Sequence, residues 1–133
     1  MKTTSSTIIL ILESDAVLRS VLRDVLEATG YVIREAKDLG AAVLKAREAA
    51  PDLLVTGPYV DSISGYDAAS FLRKDSPEMD ILVVAGFPAD DRIENRLLNH
   101  GFTSFPAPYT PALLLESVRK MLSARAERPQ DVR

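Results

Sequence analysis

The strongest constraint on this chain is a pattern that recurs about every two dozen residues: an apolar run, then apolar residues at helical spacing. The first run is Ile8, Ile9, Leu10, Ile11 and Leu12. Such a run has no polar face, so a strand built from it must be covered on both sides. Leu18, Val21, Leu22, Val25 and Leu26 then mark one side of a helix. Asp15 stands where an N-cap belongs and Gly30 where a helix commonly stops.

The pattern repeats along the chain. Tyr31–Ala36 reads as a second strand, and Leu39, Val43, Ala46 and Ala50 as a second helix stripe stopped by Pro51. Leu53–Thr56 is a third strand, followed by a loop carrying Gly57, Pro58 and Gly65 and a short helix near Tyr66–Lys74. Ile81–Ala85 is a fourth strand, with a helix over Asp90–His100 in which Ile93 and Leu97 face inward. Phe102–Phe105 is a short fifth strand. Thr110-Pro111 starts the last helix, with a Thr cap and Pro at the first helical position, and Leu114, Val118, Met121 and Leu122 form its stripe.

Five βα units in series imply a parallel sheet with helices on both faces. The chain has 133 residues, too few for an eight-unit barrel and enough for one domain with a real core. The expected architecture is therefore a single doubly wound, five-stranded α/β domain over residues 8–123. A polar segment over 1–7 precedes it and a polar tail over 124–133 follows it.

Composition removes several function classes. There is no cysteine, so thiolate metal sites, redox sites and disulfides are excluded. The net charge of −3 disfavours nucleic acid as a partner. No apolar run approaches the roughly 18 residues of a membrane span, and Met1–Thr7 lacks the apolar core of a signal peptide. The cytoplasm is the expected location.

In open α/β sheets the working site lies beyond the C-terminal ends of the strands, where strand order reverses. That rule directs attention to Glu13, Ser14, Gly57 and Ala85. The turn after the first strand is Glu13-Ser14-Asp15, not G-x-G-x-x-G, so a nucleotide pocket is not expected.

Four segments in order then give the chain a family resemblance. "ILILESDAVLR" (9–19) is similar to the first strand and acidic turn of a response-regulator receiver domain. "PDLLVTGPYVDSISG" (51–65) is similar to its third segment, with Gly57 eight residues before Gly65. "DILVVAG" (80–86) is similar to its fourth strand, and "GFTSFPAPYTPALL" (101–114) to its fifth segment, where Pro108-Tyr109 matches a Pro-aromatic pair. The resemblance covers nearly the whole chain. It implies a CheY-like, flavodoxin-like (βα)5 fold with strand order 2-1-3-4-5 and a place in two-component, phosphorelay signalling.

The residues that carry the family's chemistry do not match. The resemblance puts Gly57 at the phosphoacceptor aspartate, Glu13 and Ser14 at the acidic pair for Mg²⁺, Ala85 at the hydroxyl position and Ala107 at the lysine. An aspartyl phosphate forms when a carboxylate oxygen attacks phosphorus, and glycine has no carboxylate. Mg²⁺ takes one or two carboxylates with phosphate and water, and Ser14 is neutral. These positions read as a vestigial pocket, with no phosphoacceptor, no catalytic residue, no metal and no cofactor.

No other residue takes over. Asp52 lies at the start of the third strand, Asp61 and Asp67 lie in loop and helix, and Thr56 points to the opposite side from Gly57. Of Glu13 and Asp15, one is committed to capping, which leaves no catalytic pair. His100 and Asp90-Asp91 suit helix ends by the dipole rule. Arg119, Lys120, Arg125 and Arg128 alternate with Glu116 and Glu127 and read as a solvated helix face. Val60 and Ile63, in the loop after the third strand, either pack inward or make contacts.

The expected partner is another protein or a second copy of the chain. By resemblance it meets the face formed by the fourth helix, fifth strand and fifth helix, where Phe105, Pro108 and Tyr109 fall. Two alternatives stay open: a conventional phospho-switch with a relocated acceptor, and a small-ligand site in the switch-point cleft.

Overall fold

The computed structural model describes residues 7–84, 103–105 and 111–127, with side chains over 7–84 and 111–125. Ala85, Asp90, Asp91, His100, Ala107, Pro108 and Tyr109 lie outside the described residues, and of Phe105 only the backbone is described.

The elements run β1 (Ile8–Leu12), α1 (Ala16–Glu27), β2 (Val32–Ala36), α2 (Leu39–Glu48), β3 (Leu53–Thr56), β4 (Tyr59–Val60) and β5 (Ile63–Ser64), then α3 (Gly65–Leu72), β6 (Asp80–Val84), β7 (Thr103–Phe105) and α4 (Pro111–Glu127). The main sheet has the order β2-β1-β3-β6-β7, and all its pairings are parallel.

The apolar runs are strands because both faces of the sheet are covered. Leu10, Leu12, Leu54, Ile81 and Val83 pack with Ala42, Ala46, Ala68, Ala69 and Leu72 of α2 and α3. The alternate residues Ile9, Ile11, Leu53, Val55, Leu82 and Val84 pack with Leu22 and Leu26 of α1 and Leu114, Val118 and Leu122 of α4. Strand alternation thus feeds two cores from one sheet. β2 has a single neighbour in the sheet and is charged, as exposed edges usually are. Its Glu35 meets Arg19 and Arg23 of α1, and its Arg34 meets Glu48 at the end of α2.

The expected cap at Asp15 and stop at Gly30 are observed, Thr110 lies outside the described residues, and two further caps appear at Asp38 and Ser64. Asp15 accepts a hydrogen bond from the Leu18 amide, Asp38 from Ala41 and Ser64 from Asp67. Gly30 takes φ of +83° just past α1, the left-handed conformation that glycine adopts freely.

Four expectations need correction. The segment after β3 is not plain loop: β4 and β5 pair antiparallel, Tyr59 with Ser64 and Val60 with Ile63, and Asp61 turns the corner with φ of +56°. Val21 is about half exposed, because Leu18, Leu22, Val25 and Leu26 already span the face that meets the sheet. Ala50 is exposed and outside α2, which ends at Glu48 with Ala49 extended. α4 runs to Glu127, past the expected boundary at 123.

Candidate functional site

The register of β1 on β3 sets the site. Ile9 pairs with Leu53, Ile11 with Val55 and Leu12 with Thr56, so the next residues in line are Glu13 and Gly57. Neighbouring strands lie about 4.8 Å apart, close enough for a side chain on one to cover the backbone of the other. Glu13 does this. It is buried, and its Oε1 lies 2.8 Å from where a β-carbon on Gly57 would stand.

The amide, the carbonyl and one carboxylate oxygen of Glu13 are engaged at this end of the sheet. Its amide donates to the Ala36 carbonyl of β2 at 3.1 Å. Its carbonyl accepts from Nη1 of Arg19 at 2.8 Å, and its Oε2 accepts from the Asp15 amide at 2.9 Å. A carboxylate bonded to a backbone N–H in this way also stabilises the turn into α1. Asp15 is an N-cap, so Glu13 and Asp15 do not act as a free carboxylate pair. Ser14, between them, is partly exposed.

Gly57 is buried, and the Thr56 hydroxyl donates to its carbonyl at 3.2 Å. The chain then turns through β4 and β5 and returns to Gly65, whose amide donates to the Pro58 carbonyl at 2.7 Å. Asp61 and Asp67 are both exposed, one at the hairpin turn and one in the first turn of α3. Val60 packs inward, whereas Ile63 and Tyr59 point outward. Of the residues marked in the sequence, the structure therefore brings Glu13 and Gly57 together. Among the described residues, no group of three Asp, Glu, His or Cys side chains is placed to hold a metal ion. No helix among them is long and apolar enough to cross a membrane.

The opposite end of the sheet holds an arrangement that the sequence reading missed. Asp52 is buried, and its Oδ2 accepts from the Ile8 amide at 2.9 Å. Arg125 of α4 reaches its Oδ1 at 3.4 Å, lies 4.0 Å from Asp80, and donates to the Glu78 carbonyl. Arg125 is thus a tie between the last helix and the entry ends of β3 and β6, not part of a solvated face. Arg119 and Lys120 are exposed as expected, with Lys120 paired to Glu116 one turn away. The only sequence signal was the placement of an arginine in the last turn of the final helix.

The family model described as "Response regulator receiver domain" matches residues 9–119. Response regulator protein VraR of Staphylococcus aureus is 30% identical over 90 residues, which is 67% of this chain but 43% of VraR, so the chain spans less than half of that relative. Chemotaxis protein CheY of Thermotoga maritima is 25% identical over 114 residues, covering 85% of this chain and 95% of CheY. Among solved structures, a CheY-like receiver domain protein from Methanospirillum hungatei superposes with a TM-score of 0.82 at 23% identity, covering 92% of this chain and 98% of that one. That likeness gives the fold, and the family match gives the kinship: the chain belongs to the response regulator receiver domains, the signalling domains of two-component systems.

Proposed function

We propose that this receiver domain takes up no phosphoryl group and works by binding another protein. The observation that carries the reading is the pairing of Glu13 with Gly57. At the strand end where the family resemblance expects an acceptor aspartate there is no side chain, and the neighbouring carboxylate leans into the space. Glu13 is itself tied to the Asp15 amide, which makes it a poor nucleophile toward phosphorus and leaves a single, already bonded carboxylate to hold Mg²⁺. Asp61 and Asp67 are exposed and away from the strand end, which speaks against a relocated acceptor.

Protein binding is supported by what surrounds the same end of the sheet. Val17 in the first turn of α1 is 75% exposed, Tyr59 on β4 is 61% exposed and Ile63 on β5 is 37% exposed. Apolar side chains left in water around one pole are a common mark of a contact surface. The partner is a signalling protein or a second copy, and substitutions at Phe105, Pro108 and Tyr109, where the family resemblance puts a partner face, are the second test.

The test is exposure to acetyl phosphate with Mg²⁺, read by intact mass, and to beryllofluoride, read by amide NMR shifts. A receiver bearing an acceptor aspartate serves as the positive control. The expected result is no mass gain and no saturable shifts at Glu13, Gly57 and Val84. A mass gain with shifts at those amides would overturn the reading.

A further inference from the structure

We propose that Glu13 is a resident occupant of the site: its carboxylate fills the place beside Gly57 and holds the β1–α1 turn in one fixed arrangement. The inference rests on the phosphate-independent reading and adds the device that closes the site.

At position 57 the constraint on a side chain is space rather than backbone conformation. Gly30 is the glycine with a positive φ among the described residues, so the backbone of Gly57 suits an ordinary residue. What excludes a side chain there is Glu13. Its Oε1 lies 2.8 Å and its carboxyl carbon 3.8 Å from the β-carbon position, and the other close atom is the Tyr59 carbonyl oxygen at 3.5 Å. Only the first distance is closer than atoms tolerate, and it belongs to the far end of a side chain. Residue 57 and the Glu13 carboxylate therefore compete for one volume.

One hydrogen bond holds the carboxylate itself, and two main-chain features fix the residue that carries it. The strand register aligns Glu13 with Gly57, the Asp15 amide binds Oε2, and Arg19 anchors the Glu13 carbonyl. An anion arriving from solvent would meet a like charge already seated, which disfavours its entry. The usual receiver waits for an external group at this pole. Here the chain supplies its own.

A double-mutant cycle on the full chain tests the claim, using Glu13→Ala, Gly57→Ala and the pair, with urea unfolding and amide exchange as readouts. Gly57→Ala is expected to lower the folding constant roughly fivefold or more when Glu13 is present and about twofold or less when it is not. The Asp15 amide should exchange about tenfold faster in Glu13→Ala and in Gly57→Ala alike, since both remove the carboxylate from its place. Additive effects with an unmoved Asp15 amide would overturn the proposal. If Gly57→Ala does not fold, the Glu13→Ala exchange rate decides alone, and an unchanged rate at Asp15 overturns it. A beryllofluoride response in the unmodified chain overturns the phosphate-independent reading, and additivity without such a response overturns only the role of Glu13.

Discussion

A β-carbon on Gly65 would overlap the carbonyl oxygen of Gly57, so the first residue of α3 and the last turn out of β3 touch through their backbones. The obstacle is main chain and cannot swing aside as a side chain would. Gly65 is also buried, with the Thr56 methyl at 3.4 Å from the same point. Gly65→Ala is expected to cost about 1–3 kcal/mol or more in urea unfolding, the range of overpacking in a closed site. Gly40, in the first turn of α2, is the control. Its β-carbon would meet only Asp38 Oδ1 at 3.6 Å, so Gly40→Ala should stabilise by about 0.5–1 kcal/mol.

Arg125→Ala removes a cation from Asp52, whose side chain is 8% exposed. Loss of one partner from a buried charged pair should cost about 1–3 kcal/mol. Amide exchange should quicken in the last two turns of α4 and at Ile8, whose amide the same aspartate accepts. Arg125→Lys should recover only part of the loss, because one ammonium cannot reach Asp52, Asp80 and the Glu78 carbonyl together. Equal stability of all three proteins would show that the tie contributes nothing.

Gly57→Asp places a second carboxylate against Glu13. Like charges in one buried site oppose ionisation of both, so the variant should be less stable than the parent at neutral pH. The deficit should shrink as pH falls, because a shared proton relieves the repulsion in the folded state. Millimolar Mg²⁺ should also shrink it, since a pair of carboxylates binds the cation and offsets their mutual repulsion. Melting temperature against pH and against Mg²⁺ checks both trends, and a deficit independent of both would point to steric crowding alone.

Glu48 is held below the ordinary carboxylate range by its hydrogen bond from Arg34, aided by the charge of the same guanidinium. A carboxyl group whose folded pKa is depressed contributes stability above its unfolded pKa, and that contribution is lost as pH falls through the folded value. The pair is exposed at Glu48 and strongly screened, so the direct readout is NMR titration of the Glu48 carboxyl. Arg34→Ala should return the midpoint to the ordinary range, and an unmoved midpoint would refute the assignment.

The parts of the fold that were legible in the sequence are those written in local chemistry. The apolar run Ile8–Leu12 announced a strand covered on both faces, and Asp15, Gly30 and Pro111 marked helix ends where they are observed. The β4–β5 hairpin was not legible, because two-residue strands carry no periodicity and Asp61 gives no unique sign of positive φ. Val21 misled because its spacing fits the stripe of α1 while the width of the buried face is set by the sheet beneath.

The sequence by itself determined that Glu13 and Gly57 stand at the C-terminal ends of buried strands and that residue 57 carries no carboxylate. Tertiary structure alone decided that they meet. Contact between residues 44 positions apart depends on the parallel register Leu12 with Thr56, and a shift of one residue would have turned Glu13 to the other face. The same holds for Arg125 and Asp52, which are joined only because α4 packs on the same face of the sheet as α1 and its last turn reaches the entry end of β3. Local sequence sets which groups are available, whereas register and helix packing set which of them share a volume.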